Sequence, residues 1–273
     1  MKPKQIFLFA ALLLTACGDN NINIPSEEAH HIGELIFQNE CAGKEACLTS
    51  WNKGEEFASL GIGHFIWYPQ GYSGPFEESF PKLLRYMYEK GVQLPDWLAF
   101  ESDADPPWQT RQAFMAAQKS LKMIELRHFL AETKSFQAEF LVNRLKTALP
   151  KMLDSAPEPS RAHIRTQFYR LANSTMGSYV LVDYVNFKGE GVKPDERYHG
   201  KGWGLLQVLE HMRGKATGDV VLQEFAKAAS FILTRRVQLS PPARNEQRWL
   251  AGWKKRVNTY NSITLSEIHQ KPS

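Results

Sequence analysis

Apolar residues recur at helical spacing where the folded part of the chain begins. Ile32 lies three positions after Ala29, and Leu35 and Ile36 lie three and four positions after Ile32, a pattern typical of an amphipathic helix. Ser26 precedes this pattern and is a favourable N-cap, with acidic residues in the turn that follows. The sequence therefore predicts a first helix that starts near Ser26 and carries Glu40 at its C-terminal end.

The pattern then changes from helical spacing to a short hairpin and back. Residues 48–51 and 57–66 are predicted strands, joined by the polar turn Asn52-Lys53-Gly54. Helical periodicity returns afterwards and predicts helices over residues 80–89, 110–132 (one helix or two), 136–148, 160–172, 178–187, 204–212, 220–237 and 246–260. We therefore expect a mainly α, α+β fold in which a small helix-plus-hairpin lobe packs on a larger helical body.

The first sixteen residues have the pattern of an export signal. Lys2 and Lys4 precede an apolar run over residues 6–14, which is too short to span a bilayer and indicates a cleaved signal peptide. The string Leu14-Thr15-Ala16-Cys17 resembles the lipobox of bacterial lipoproteins, which implies lipidation of Cys17. The alternative is an ordinary signal peptide with a chance cysteine. Gly18 after the cysteine favours the outer membrane over inner-membrane retention.

This leader divides the chain into three predicted parts. Residues 1–16 are the signal peptide, residues 17–26 are a lipidated polar tether, and residues 27–270 form one domain. The chain has 33 basic and 29 acidic residues, and without Lys2 and Lys4 the balance is 31 against 29. Such a small excess gives no argument for nucleic-acid binding, so we expect no nucleic-acid partner. The membrane is expected as a partner through the lipid anchor alone.

Two cysteines remain after Cys17. Cys41 and Cys47 enclose a tight loop, and an oxidising periplasm favours a disulfide between them. Free buried thiols and metal ligands are the alternatives, the second being weakest because no familiar metal-binding spacing lies nearby. A disulfide here would hold the chain directly after Glu40.

The order of helix, glutamate and hairpin, followed by the string Ser59-Leu60-Gly61-Ile62-Gly63-His64, resembles the phage-type lysozymes. In that family a catalytic glutamate ends the first helix, and the hairpin closes with a Thr-Ile-Gly-Ile-Gly-His-like string. The resemblance covers roughly residues 30–68. It implies a lysozyme-like domain with Glu40 as the catalytic acid and Ser59 in place of the threonine that helps hold water and sugar. His64 is expected to be a scaffold residue that also contacts substrate.

The sequence departs from that family in the hairpin turn. The family has an aspartate there, whereas this chain has Asn52 followed by Glu55 and Glu56. An inverting hydrolase needs a second carboxylate, but adjacent strand residues point to opposite faces, so at most one of these two faces the cleft. We take Glu56 as a candidate substrate contact. The alternative is a solvated acidic turn.

A single glutamate is typical of the lytic transglycosylases, which are similar in core fold. They use one glutamate as acid and then as base, while the 6-hydroxyl of the sugar attacks and leaves a 1,6-anhydromuramic end. The string Gly204-Leu205-Leu206-Gln207 weakly resembles the Gly-Leu-Met-Gln segment of soluble members. With it, Tyr198, Trp203 and Gln207 are predicted to contact glycan, since aromatic faces and amides suit sugars. The alternative is an Ω-like loop packed on itself.

These resemblances imply a peptidoglycan-cleaving glycosidase of the bacterial envelope without cofactor or metal, with a lytic transglycosylase as the preferred prediction. A hydrolytic muramidase and a non-catalytic peptidoglycan-binding lipoprotein are the alternatives. Burial and the negative end of the helix dipole should raise the pKa of Glu40 to ~6–7, where it can donate a proton. Lys254, Lys255 and Arg256 are expected on a solvated helix face, and Trp249 and Trp253 in the core.

Overall fold

The structure is a computed structural model that describes residues 25–72, 74, 77–98, 106–194 and 196–261. The predicted signal peptide, Cys17 and nearly all of the predicted tether lie outside the described residues. Within them the chain is mainly helical, with ten α-helices and two small sheets, so the predicted mainly α class is confirmed. In the part of the chain that is described, no helix is both long and apolar enough to cross a membrane.

The elements follow the predicted order. The helices are α1 (Ser26–Cys41), α2 (Phe80–Glu89), α3 (Arg111–Ala116), α4 (Leu121–Glu132), α5 (Lys134–Ser155), α6 (Glu158–Ala172), α7 (Thr175–Lys188), α8 (Leu205–His211), α9 (Asp219–Leu239) and α10 (Gln247–Thr259). The strands are β1 (Thr49–Ser50), β2 (Ala58–Leu60), β3 (Phe65–Trp67), β4 (Arg197–Tyr198) and β5 (Lys201–Gly202). The predicted helix over residues 110–132 is thus two helices.

The glycine string does not end a strand, as the sequence predicted, but forms a turn between two strands. The expected strand over residues 57–66 is divided into β2 and β3, which pair antiparallel, and β1 pairs with the other edge of β2. Gly61 and His64 have positive φ angles of 69° and 48°, which a continuous strand cannot accommodate. The result is a three-stranded sheet in which residues 61–64 form a largely buried turn between β2 and β3.

Helix α5 is longer than predicted because it continues through Pro150. A proline removes one helical hydrogen bond, yet the apolar face persists beyond it, with Leu149, Met152 and Leu153 buried. Burial of three large side chains contributes roughly 5 kcal/mol or more, which exceeds the cost of about 3 kcal/mol for an interior proline. Tertiary packing therefore sets the end of this helix.

The lobe and the helical body share one hydrophobic core. Helix α1 packs most extensively on α5 and also contacts α7. Its close approach to α5 depends on Gly33, where a Cβ would lie 2.9 Å from the carbonyl oxygen of Lys134. Trp249, predicted in the core, is 40% exposed on α10. The C-terminal end of α1 is consequently held at the junction between the lobe and the body.

Candidate active-site cleft

A cleft of about 440 Å³ lies at the junction between the hairpin lobe and the helical body. One side of the cleft is formed by Glu40 at the end of α1 and by Gly63 and His64 in the β2–β3 turn. The rest of the lining comes from β3 and the segment before α2, from α5 and α7, from the segment after α7 and from Arg256 of α10. The apolar members are Leu141, Leu145, Val182 and Val185, and the charged members include Arg144, Lys151, Glu190, Lys193, Glu196 and Arg256. The volume is in the range of ligand-binding sites, and the many charged side chains indicate a polar ligand.

Glu40 lies in the last turn of α1, as the sequence predicted. Its side chain is only 13% exposed. The helix ends directly afterwards, because Ala42 adopts the left-handed conformation with φ of 49° and its N–H returns to the Gln38 carbonyl. Glu40 is thus presented by a well-defined helix end rather than by a loop.

Both oxygens of the Glu40 carboxyl have cationic or polar partners. His64 Nε2 lies 3.3 Å from Oε2, and Arg256 Nη2 donates a hydrogen bond to Oε1. Burial acts to raise the pKa of Glu40, but the hydrogen bond from His64 and the charge and hydrogen bond of Arg256 together lower that pKa to about 2. The expectation of a raised pKa is therefore wrong for the free protein, because a residue far away in sequence supplies a positive charge.

Arg256 lies in a different environment from the one that the sequence predicted. It was expected on a solvated face of α10, but it reaches into the cleft and donates from Nε and Nη2 to both oxygens of Asp183, at 3.1 and 2.8 Å. Asp183 is 1% exposed and also accepts from the Tyr260 hydroxyl. Burial would lower the pKa of Arg256, yet Asp183 and Glu40 raise it. The sequence signal for this cluster was Asp183, the single acid within the largely apolar helix α7.

Gln137 of α5 holds the β2–β3 turn and was also missed. Its Oε1 accepts from the Ile62 N–H at 2.8 Å, and its Nε2 donates to the Leu130 carbonyl at 2.7 Å. A Cβ at Gly61 would collide with the Gln137 side chain. Gly61 therefore serves the close approach of the turn to α5, and this contact sets the position of His64 beside Glu40.

The hairpin residues predicted at the site are not brought to the cleft. Ser59 is 4% exposed within β2 and is absent from the cleft lining, and its carbonyl accepts from the Ser50 hydroxyl. Glu56 is exposed at the hairpin bend and does not line the cleft. The backbone carbonyl of Glu55 accepts a hydrogen bond from Trp51 Nε1 at 2.7 Å. Its carboxyl accepts one from Asn52 Nδ2 at 3.1 Å. This arrangement fits the alternative of a solvated acidic turn, and neither Ser59 nor Glu56 lies in the cleft lining.

The predicted glycan contacts after α7 belong to a separate packed cluster. Gln207 accepts from the Gly204 N–H at 3.0 Å and donates to the Gly191 carbonyl at 3.1 Å, so its amide is used by the loop itself. The Tyr198 ring packs at a tilt against Trp203, with ring centres 4.6 Å apart, and its hydroxyl donates to Glu246 at 2.8 Å. The three residues do not line the cleft. These contacts within the loop match the Ω-like loop alternative, and the role of the three residues in substrate binding stays a prediction.

Cys41 and Cys47 lie together with Cα atoms 5.3 Å apart, a separation that a disulfide requires. The pair follows Glu40 directly and closes the segment between α1 and β1. Its place fits the expected role of holding the end of the helix.

Comparisons with protein-family models, with curated proteins and with solved structures give no match for this chain. Among the described residues, no group of three or more His, Cys, Asp and Glu side chains is arranged to hold a metal ion.

Proposed function

We propose that this chain is a peptidoglycan-cleaving glycosidase, a lytic transglycosylase that uses Glu40 as its single catalytic carboxyl. The bond it would cleave joins N-acetylmuramic acid to N-acetylglucosamine. The observation that carries the proposal is a buried carboxyl at a helix end, open to a cleft of about 440 Å³ between a hairpin lobe and a helical body. The sequence resemblance to lysozyme-like enzymes supports the same reading.

The chemistry requires Glu40 to give a proton to the glycosidic oxygen and then to take one from the attacking 6-hydroxyl. In the free protein the contacts with His64 and Arg256 keep the pKa of Glu40 low and the carboxyl ionised, although burial acts to raise this pKa. Arg256 has a second partner in Asp183, to which it donates two hydrogen bonds. A glycan that displaces Arg256 from Glu40 therefore leaves the arginine compensated and removes two of the causes that lower the pKa of Glu40, so burial, which acts to raise this pKa, has more effect.

A second carboxylate beside the reacting bond is the requirement that separates hydrolysis from transglycosylation. Glu55 and Glu56 lie off the cleft, so neither supports a hydrolytic muramidase. The other carboxylates of the cleft lining are Glu77, Glu190 and Glu196. A hydrolytic mechanism would depend on one of these three.

The test is mass spectrometry of the soluble products after purified sacculi are incubated with the protein. Anhydromuramic ends support the single-carboxyl mechanism. Reducing ends would replace it with hydrolysis and direct attention to Glu77, Glu190 and Glu196. Release of no product under any condition would contradict cleavage altogether.

A non-catalytic peptidoglycan-binding lipoprotein is the second candidate, and a specific observation favours it. The pKa of Glu40 is held at about 2, so in the free protein this carboxyl is an anion and not a proton donor. Co-sedimentation of the protein with sacculi, without release of soluble fragments, would support binding over cleavage.

We further propose that a lipid on Cys17 attaches the protein to the periplasmic side of the envelope, in the outer membrane. The lipobox-like string is the support. Metabolic labelling with a fatty acid should tag the wild type and fail with Cys17→Ala. An untagged wild type would contradict the anchor.

A further inference from the structure

We infer that His64 is the proton partner of Glu40, delivering the proton that converts this carboxylate into the catalytic acid. The inference rests on the proposed glycosidase function and extends it to a second residue. Its basis is geometric, because His64 Nε2 lies 3.3 Å from Glu40 Oε2, on the carboxyl oxygen that Arg256 does not occupy. Imidazole is the side chain that ordinarily changes charge near neutral pH.

The backbone of His64 supports a functional placement. Its φ of 48° is in the left-handed region, which non-glycine residues seldom adopt. The turn is held in this form by the Gln137 contact to Ile62 and by the His64 N–H to the Gly61 carbonyl at 3.3 Å. The imidazole is consequently aimed at Glu40 by a conformation that costs energy, which is common at active sites.

His64 also has the access to solvent that a proton donor needs. Its side chain is 34% exposed, against 13% for Glu40. The imidazole can therefore exchange its proton with water, while the carboxyl beside it is shielded. Glu40 receives its proton by way of His64 rather than directly from the solvent.

The proton transfer balances over one reaction cycle. The N–H bond of the imidazolium breaks, an O–H bond forms on Glu40, and a neutral imidazole remains. Glu40 then protonates the glycosidic oxygen as the C–O bond breaks, and recovers a proton from the 6-hydroxyl as the new C–O bond forms. That proton returns to His64, so transglycosylation needs no net proton.

The other charged groups of the cleft do not compete for this role. Arg256 is held by Asp183 as well as by Glu40. The other charged residues of the lining are three cations and three acids. The cations are Arg144 and Lys151 of α5 and Lys193 after α7, and the acids are Glu77, Glu190 and Glu196. These acids have partners of their own, because Glu77 pairs with Lys82, Glu190 lies 3.8 Å from Lys151 and Glu196 accepts from the Gly191 N–H at 2.9 Å.

The experiment is chemical rescue of His64→Gly. Glycine accepts the positive φ at this position, so the variant should keep the turn and open a space for added imidazole. We expect kcat for sacculus digestion to fall by about 100-fold, with KM little changed. Added imidazole should restore part of kcat in proportion to its protonated form, which a merely structural role would not produce.

His199→Gly is the matched control. His199 also has a φ of 48°, lies in the exposed β4–β5 turn and does not line the cleft, so this variant should digest sacculi at the wild-type rate. His64→Gly at the wild-type rate, or a loss that no imidazole concentration relieves, would overturn the inference alone. A wild type that cleaves nothing would overturn the proposed function, and this inference with it.

Discussion

Glu40 and Glu246 are two buried carboxylates in different parts of the molecule, each surrounded by cationic partners. Glu246 is fully buried, accepts two hydrogen bonds from Arg236 at 2.8 and 2.9 Å, and also contacts Arg244 and Tyr198. Glu40 has one arginine and one histidine. The two carboxyls therefore have similar electrostatic surroundings, and for both the pKa is lowered although burial acts to raise it.

The two carboxyls differ in their access to the cleft. No side of Glu246 faces the cleft, and its partners tie α9, α10 and the β4–β5 loop together. Glu40 opens on the cleft, and its arginine is shared with Asp183. The Glu246 carboxylate has no cleft beside it, so its ion pairs stabilise the fold. The Glu40 carboxylate adjoins the cleft and shares Arg256 with Asp183, so a bound ligand can change its protonation state.

Substitution of Glu40 should have the largest effect on function. Glu40→Gln keeps the shape of the side chain but cannot donate the proton, so we expect sacculus digestion to slow by about 10³-fold or more. The variant should remain folded and still bind sacculi. Undiminished digestion by this variant would remove Glu40 from the mechanism.

Glu246→Gln should show the opposite profile. It leaves Arg236 buried without its carboxylate, and loss of one partner of a buried pair costs about 3 kcal/mol. Chemical denaturation should therefore show a lower free energy of unfolding, while the folded variant digests sacculi at the wild-type rate. A selective loss of activity at full stability would place Glu246 in the mechanism and cancel the comparison.

The pH dependence of stability isolates the Glu40 carboxyl. Its pKa is about 2 in the fold against an ordinary 4.5, so its ionised form stabilises the protein above about pH 4.5 and this contribution, about 3 kcal/mol, is lost as pH falls to about 2. The free energy of unfolding of the wild type should fall more steeply over this range than that of Glu40→Gln. Parallel curves would contradict the Arg256 and His64 contacts, since other carboxyls affect both proteins equally.

The cysteine pair should have the smallest effect. Replacing Cys41 and Cys47 with serine removes a short loop constraint, worth about 2 kcal/mol in the chain-entropy model. The double variant should unfold at lower denaturant, with a modest loss of activity because the end of α1 is less firmly held. Thiol titration of the unreduced, denatured wild type provides the check, and reaction at both positions would refute the disulfide.

Local patterns predicted the elements well and the site only in part. Periodicity located α1 and its glutamate, because it depends on neighbouring residues, whereas the glycine string was expected at the end of a strand and forms a turn between β2 and β3. The partners of Glu40 depend on contacts between distant segments: Arg256 is 216 positions away, and its charged neighbours on α10 suggested a solvated face. Tyr198, Trp203 and Gln207 have the composition of a sugar site, but composition does not distinguish a loop that binds glycan from one that binds itself.

The central claim is that the Glu40 carboxyl is ionised in the free protein and becomes a proton donor when glycan occupies the cleft. The most direct measurement is the pKa of Glu40 by carbon NMR of labelled glutamate carboxyls, with Glu40→Gln used for assignment. It should be recorded without ligand and with a sulfur-linked peptidoglycan tetrasaccharide that cannot be cleaved. The account predicts about 2 in the free protein and a rise above ~5 in the complex, as required of a proton donor. A pKa that stays near its free value with the cleft occupied would contradict it.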